Sequence, residues 1–218
     1  MTDGAARKFM VDGQLRPNKV TDARVLAAMG RLPREAFVPA ACHARAYADD
    51  AVPLCPGRAM MAPMVLARLV QAAEPALGQS ALVVGAATGY AAAVLAHMGL
   101  VVTALEQDSA LQALAQPALA AALPGARPRL ALGSLVDGHP AGAPYDVILL
   151  DGAVGQLPPA LEAQLAEGGR IVGVFDRPGQ VATAMLGRKL AGRIFLTPIM
   201  DAYAPGLPGF VPAPGFVF

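Results

Sequence analysis

From residue 81 to residue 105 the chain carries no formally charged side chain, a run long enough to cross a bilayer as one helix. Its punctuation argues against that use. Gly85, Thr88, Gly89, Tyr90, His97, Gly99 and Thr103 divide it into an apolar strand at 81–84, a Gly-containing turn, a helix at 89–98 and a second strand at 101–105 that runs into Glu106. Strands this continuously apolar belong to a parallel sheet covered on both faces. The run therefore commits the chain to a strand–helix–strand unit, with a tight turn after the first strand and a carboxylate after the second.

The alternation continues downstream. Residues 109–123 read as a helix, 129–132, 146–150 and 170–175 as strands, and 158–165 as a helix between the last two. This order predicts an α/β fold, Rossmann-like, with a mostly parallel sheet. Apolar runs at 181–186 and 194–197 are too close together for another crossover and predict a C-terminal antiparallel hairpin. From Ala204 a Pro/Gly-rich tail with Phe210, Phe216 and Phe218 is expected to lie irregularly against the surface. Ahead of the sheet, residues 1–75 read as an N-terminal helical subdomain or lid, and 76–218 as the cofactor-binding domain. In the first part, apolar residues recur at helical spacing in 20–29 and 65–69, with Thr21 or Asp22 as the N-cap and Gly30 as the stop of the first of these helices. Pro33, Pro39, Pro53, Pro56 and Pro63 cut the rest into short helical and loop pieces.

The turn narrows the choice of ligand. A dinucleotide fingerprint wants glycine at its first, third and sixth positions, and those positions are Gly85, Ala87 and Tyr90. Tyr90 argues against a nicotinamide site, and no phosphate-cradling Gly-Lys-Ser/Thr ending is present. The remaining form, Gly-x-x-x-Gly-Tyr, is the one used for S-adenosylmethionine, whose amino-acid end is small. Glu106 stands where an acidic side chain can accept from both ribose hydroxyls. A plain strand–helix–strand unit, with glycines serving only the turn, is the simpler alternative.

Charge and cysteine usage remove other classes. Lys+Arg 17 against Asp+Glu 16 leaves no global field for nucleic acid or an anionic membrane. Cys42 and Cys55 have no metal-ligand or redox spacing, and His43, His97 and His139 are scattered, so no metal is expected. The N-terminus has charges but no apolar segment after them, which points to a cytoplasmic protein.

Several motifs occur together in one order. Met10-Val-Asp-Gly-Gln-Leu-Arg-Pro17, the stretch from Asp22 to Met29, Pro33-Arg-Glu-Ala-Phe-Val-Pro39 and Ala46-Tyr47 are followed by Gly89-Tyr90, Pro144-Tyr-Asp146, Pro158-Pro-Ala-Leu161 and Glu167-Gly-Gly-Arg-Ile-Val172. Over roughly residues 10–174 this resembles the protein-L-isoaspartate O-methyltransferases. The resemblance implies a Rossmann-like methyltransferase fold, S-adenosyl-L-methionine as cofactor, and methylation of a carboxylate. It implies cofactor contacts from Gly85, Ala87, Thr88, Gly89, Tyr90, Glu106, Gln107, Ser134 and Leu135. A carboxylate is already ionised at neutral pH, so the reaction needs alignment and exclusion of water more than a base.

The chain also departs from the family. In place of Gly-Gln-Thr-Ile-Ser-x-Pro it has Gly57-Arg-Ala-Met-Met-Ala-Pro63, so Ala59 and Met61 replace two hydroxyl residues. The acid usual in the first strand is Val83, and the adenine-facing Asp is Ser134. Ala87 replaces a glycine, which the loop can accommodate if that residue keeps a negative φ. Arg58, Met61 and Asp151 are the candidate catalytic residues. Arg58 could hold an acceptor carboxylate in a bidentate fork or simply be an exposed arginine. Met61 could line a pocket or pack the helix that starts near Pro63. Asp151 follows a strand, where ligands bind in open α/β sheets, or caps a loop. The leading expectation is an O-methyltransferase acting on a protein or small-molecule carboxylate, and the alternative is a catalytically silent binding or regulatory protein of the same fold.

Overall fold

The computed structural model describes residues 3–125 and 127–210. The N-terminal layer begins with α1 (Asp3–Phe9), a π-helical turn over Met10–Leu15 and α2 (Ala23–Arg31). Asp22 is the N-cap of α2 and accepts from the Arg24 N–H at 2.8 Å, as a short acidic side chain with extended backbone does. Gly30 does not stop this helix, which continues through Arg31 to a cap at Leu32. Two 3₁₀ turns, Arg34–Phe37 and Ala40–Arg45, follow.

The stretch read as helix and loop also contains a hairpin, β1 (Val52–Cys55) and β2 (Arg58–Met60), paired antiparallel with an irregularity between Pro53 and Cys55. Next comes α3 (Pro63–Ala72), which starts on a proline whose missing N–H costs nothing at the first helical position. Gln71 on α3 accepts from the N–H groups of Thr21 (2.7 Å) and Asp22 (2.9 Å) and donates to the Lys19 carbonyl (3.0 Å). One side chain thus pins the entry to α2.

The central unit is β3 (Ser80–Val84), α4 (Tyr90–His97), β4 (Val101–Glu106), α5 (Ser109–Ala122), β5 (Arg129–Leu132), β6 (Tyr145–Val154), α6 (Pro159–Gln164), β7 (Leu165–Phe175), β8 (Thr183–Leu190) and β9 (Arg193–Asp201). They form a seven-stranded sheet in the order β5-β4-β3-β6-β7-β8-β9. The pairs from β5 to β7 are parallel, and β7-β8-β9 are antiparallel. The hairpin is in place, with strands longer than the apolar runs alone indicated.

Alternate residues of the central strands face two different apolar clusters. Ala81, Val83, Val147 and Leu149 join the cluster shared with the N-terminal layer and α3. Leu82, Val84, Ile148 and Leu150 join the cluster with Leu161, Leu207 and Phe210. Burial on both faces is the reason these strands read as unbroken apolar runs. Among the described residues, no helix is long and apolar enough to cross a membrane.

The order of strands fixes where a ligand can sit. Progress from β3 outward to β5, then back across to β6, leaves a switch point between β3 and β6, the place where such sheets open a crevice at their carboxyl ends. The tail then crosses this end. Leu207 donates its N–H to the Ala153 carbonyl at 2.8 Å, and Ala153 donates to Pro205 at 2.8 Å. The tail is irregular, as expected, but anchored: Leu207 and Phe210 are buried. Phe216 and Phe218 lie outside the described residues.

Candidate active site

Between β3 and α4 the backbone takes positive φ at Gly85 (77°), Ala87 (49°) and Gly89 (94°). Ala87 thus occupies the loop without the negative φ that would spare an alanine strain. Its conformation turns the Ala87 N–H onto Glu106 Oε2 at 2.7 Å, and that hydrogen bond offsets the strain of a left-handed alanine. Gly89 caps α4 in the left-handed conformation, and a Cβ added there would stand 3.1 Å from Leu119. Thr88 is turned inward: its hydroxyl donates to the Phe37 carbonyl at 2.6 Å and ties the loop to the first 3₁₀ turn. Tyr90 is buried, edge-on to Phe37 with ring centroids 5.4 Å apart.

Glu106 ends β4 and is 1% exposed. Its Oε1 accepts from Gln107 N (2.9 Å) and Asp108 N (3.0 Å). Arg58, at the start of β2, closes on it with both ends of its fork: Nη1 donates to Oε1 at 2.6 Å and Nη2 to Oε2 at 2.8 Å. Arg58 Nη2 also donates to the Gly85 carbonyl at 3.1 Å. The reading of Arg58 as an exposed solubilising residue is ruled out, since it is 8% exposed. Burial works against both charges, but the pairing outweighs it. Glu106 is held below the usual carboxylate range by Arg58 and the backbone N–H groups, and Arg58 is held above its ordinary value by Glu106.

Asp151 leaves the β3–β6 ladder immediately after its last pair, Val84 with Leu150. The sequence reading ends this strand at Leu150, but β6 continues through Val154, so Asp151 lies inside the element on an irregular stretch. Burial pushes its carboxyl up to about 7, while the charges of Arg58 and Arg34 pull it down and Glu106 adds to the rise. Gly85 and Gly152 face Leu207, whose Cδ2 stands 2.5 Å and 2.7 Å from where a Cβ on each would be. Only glycine allows the tail so close.

Other expected site residues are more dispersed. Met61 is buried in the core, and its backbone carbonyl accepts from Arg34 Nη2. Gln107 is exposed beside Glu106, Ser134 is exposed on the loop after β5, and Leu135 next to it is fully buried. The sequence reading did not single out Arg34. It is fully buried, donates from Nε to the Ala46 carbonyl at 2.6 Å, and lies 4.8 Å over the Tyr90 ring. Its Nη1 and the Tyr90 hydroxyl are both buried without a hydrogen-bond partner. The only local signal is the charged pair Arg34-Glu35 inside Pro33-Arg-Glu-Ala-Phe-Val-Pro39, which does not say which of the two is buried.

A switch point between β3 and β6, a left-handed glycine turn and a buried carboxylate at the end of the neighbouring strand are the features of a nucleoside-binding α/β fold. The fold is that of a solved protein-L-isoaspartate O-methyltransferase, with a TM-score of 0.82 at 22% identity, covering 93% of this chain and 66% of that one. A Plasmodium falciparum protein solved in complex with S-adenosyl-L-homocysteine shares the fold with a TM-score of 0.75 at 18% identity, covering 92% and 98%. The family model for protein-L-isoaspartate(D-aspartate) O-methyltransferase matches residues 6–200. Protein-L-isoaspartate O-methyltransferases of Methylorubrum populi and Koribacter versatilis are 43% and 40% identical over 189 and 210 residues, covering 87% and 95% of this chain and 88% and 94% of theirs. The chain belongs to the protein-L-isoaspartate(D-aspartate) O-methyltransferase family.

Proposed function

We propose that this protein transfers a methyl group from S-adenosylmethionine to a carboxylate, with an isoaspartyl residue of a protein as the acceptor. The observation that carries the cofactor half is Glu106, a buried carboxylate at the end of β4 bound by the loop amide of Ala87. The residues fit a nucleoside cofactor in kind. Glu106, once Arg58 leaves it, would supply the ribose acceptors, the turn at residues 85–90 would supply close backbone, and Gln107, Ser134 and Leu135 would lie on the adenine side. The cofactor, when bound, supplies an electrophilic methyl group on a sulfonium.

The chain's own residues hold and orient the acceptor. Arg58 carries a planar fork matched to a carboxylate; that fork is on Glu106 here, and released from it would stand in for the donors absent at Ala59 and Met61. Asp151, pushed up to about 7, is partly neutral at neutral pH, so it can donate a hydrogen bond to an acceptor carboxylate instead of repelling it. No general base is needed, because the attacking oxygen is already an anion. Leu207 and the tail cover Gly85 and Gly152 and keep water off them. The titration that tests this reading is calorimetric, with S-adenosylmethionine and S-adenosylhomocysteine. Micromolar dissociation constants, about −8 kcal/mol, are expected, and no heat up to millimolar ligand contradicts the reading and favours the silent alternative.

A further inference from the structure

The carboxylate that should receive ribose hydroxyls has no acceptor capacity left. An ionised carboxyl offers about four lone-pair sites. Glu106 accepts five hydrogen bonds: two from Arg58, at 2.6 and 2.8 Å, and one each from Ala87, Gln107 and Asp108, at 2.7, 2.9 and 3.0 Å. The backbone donors are fixed by the loop and by the cap of α5, so the removable partner is Arg58. Its attachment is a short two-stranded hairpin. Arg58 opens β2 just after the turn of the two-stranded hairpin, where Pro56 and Gly57 are exposed and nothing lies within 4 Å of a Cβ placed on Gly57. Among the described residues the hairpin pairs with no other strand.

We infer that Arg58 exchanges partners: it is held on Glu106 while the cofactor is absent, and once a ribose diol takes Glu106 it is released to grip the acceptor carboxylate. This deepens the reading above and rests on it. The exchange makes Arg58 the residue that sets carboxylate specificity and couples the two ligands. A buried guanidinium without a counter-charge is strongly disfavoured. Arg58 driven from Glu106 in this crevice therefore needs a new anion. The titratable groups that face it are Glu106, Asp151 and Cys55, and an acceptor carboxylate supplies a full negative charge where Asp151, burial-raised, supplies only part of one. Cofactor binding thus creates the demand that the acceptor satisfies, and by linkage the acceptor tightens cofactor binding by the same factor.

The test compares wild type with Arg58→Gln and Arg58→Lys, using S-adenosylhomocysteine and a short peptide with one isoaspartyl residue. Calorimetry should show about tenfold or greater tightening of S-adenosylhomocysteine in Arg58→Gln without peptide, because no internal partner has to leave. In wild type, saturating S-adenosylhomocysteine should tighten the peptide about tenfold, and in Arg58→Gln that coupling should vanish. Arg58→Lys keeps a cation beside Glu106 without the fork and should fall between them, so it decides the matter if the glutamine variant does not fold. Equal S-adenosylhomocysteine affinity in all three proteins, or weaker binding in the variants, overturns the exchange while leaving the functional reading intact. Absence of binding to all three overturns both.

Discussion

At the scale of single residues, Asp151 gives the clearest signature in solution. Its ordinary value is 3.8 and burial raises it to about 7 in the folded chain, so between those values the folded state binds more protons than the unfolded one. The sign follows: this group's contribution is fully present below about pH 3.8 and is lost as pH rises through about 7. Asp151→Asn removes the titration. The variant should match wild type near pH 4 and exceed its stability at pH 8 by on the order of 4 kcal/mol, which thermal unfolding across that range will detect. Equal stability of the two proteins at pH 8 would contradict the assigned burial. Glu106 runs the opposite way, being held low, and its contribution is lost on acidification. Comparison of the variant with wild type cancels that background.

At the scale of elements, the turn between β3 and α4 carries strain that its sequence conceals. Ala87 has φ 49°, while its N–H rather than its side chain holds Glu106. Ala87→Gly keeps that donor and relieves the left-handed alanine, so it should stabilise the protein by about 0.5–1 kcal/mol after glycine's own entropic cost. Denaturant melts with an unchanged slope and a higher midpoint would bear this out, and a lower midpoint would count against it.

The same turn marks the limit of what the sequence makes legible. Unbroken apolar strands, the βα alternation, the cap at Asp22 and the acid at Glu106 are local patterns, and each appears in the structure. The β1–β2 hairpin was hidden because its strands hold four and three residues and Pro53 and Pro56 mask any alternation. Arg58 and Glu106 lie 48 residues apart, and no periodicity links a hairpin to the end of a distant strand. Their pairing, and the burial of Arg34 over Tyr90, are tertiary facts. The sign of φ at Ala87 is tertiary as well, since a carboxylate from the next strand sets it.

At the scale of the whole molecule, the tail is part of the carboxyl end of the sheet. The family model ends at residue 200, and beyond it residues 204–210 bond to Ala153 and Gly155 and place Leu207, 2% exposed, against Gly85 and Gly152. Leu207→Ala should cost about 2–4 kcal/mol, as truncation of a buried leucine does. It should also speed hydrogen exchange at the Ala153 and Leu207 amides, which bond between the tail and β6. A loss under about 1 kcal/mol with unchanged exchange would mean that the tail is not integrated with the sheet.

The most direct measurement on the central claim is transfer of labelled methyl from S-adenosylmethionine to a peptide with one isoaspartyl residue, with the same peptide carrying ordinary aspartate as control. A methyl ester is cleaved by mild base, so the label should appear on the isoaspartyl peptide and be recovered as methanol after alkaline treatment, with little on the control. A folded protein that binds S-adenosylhomocysteine and transfers no label to the isoaspartyl peptide, or whose transferred label resists base, would contradict the account.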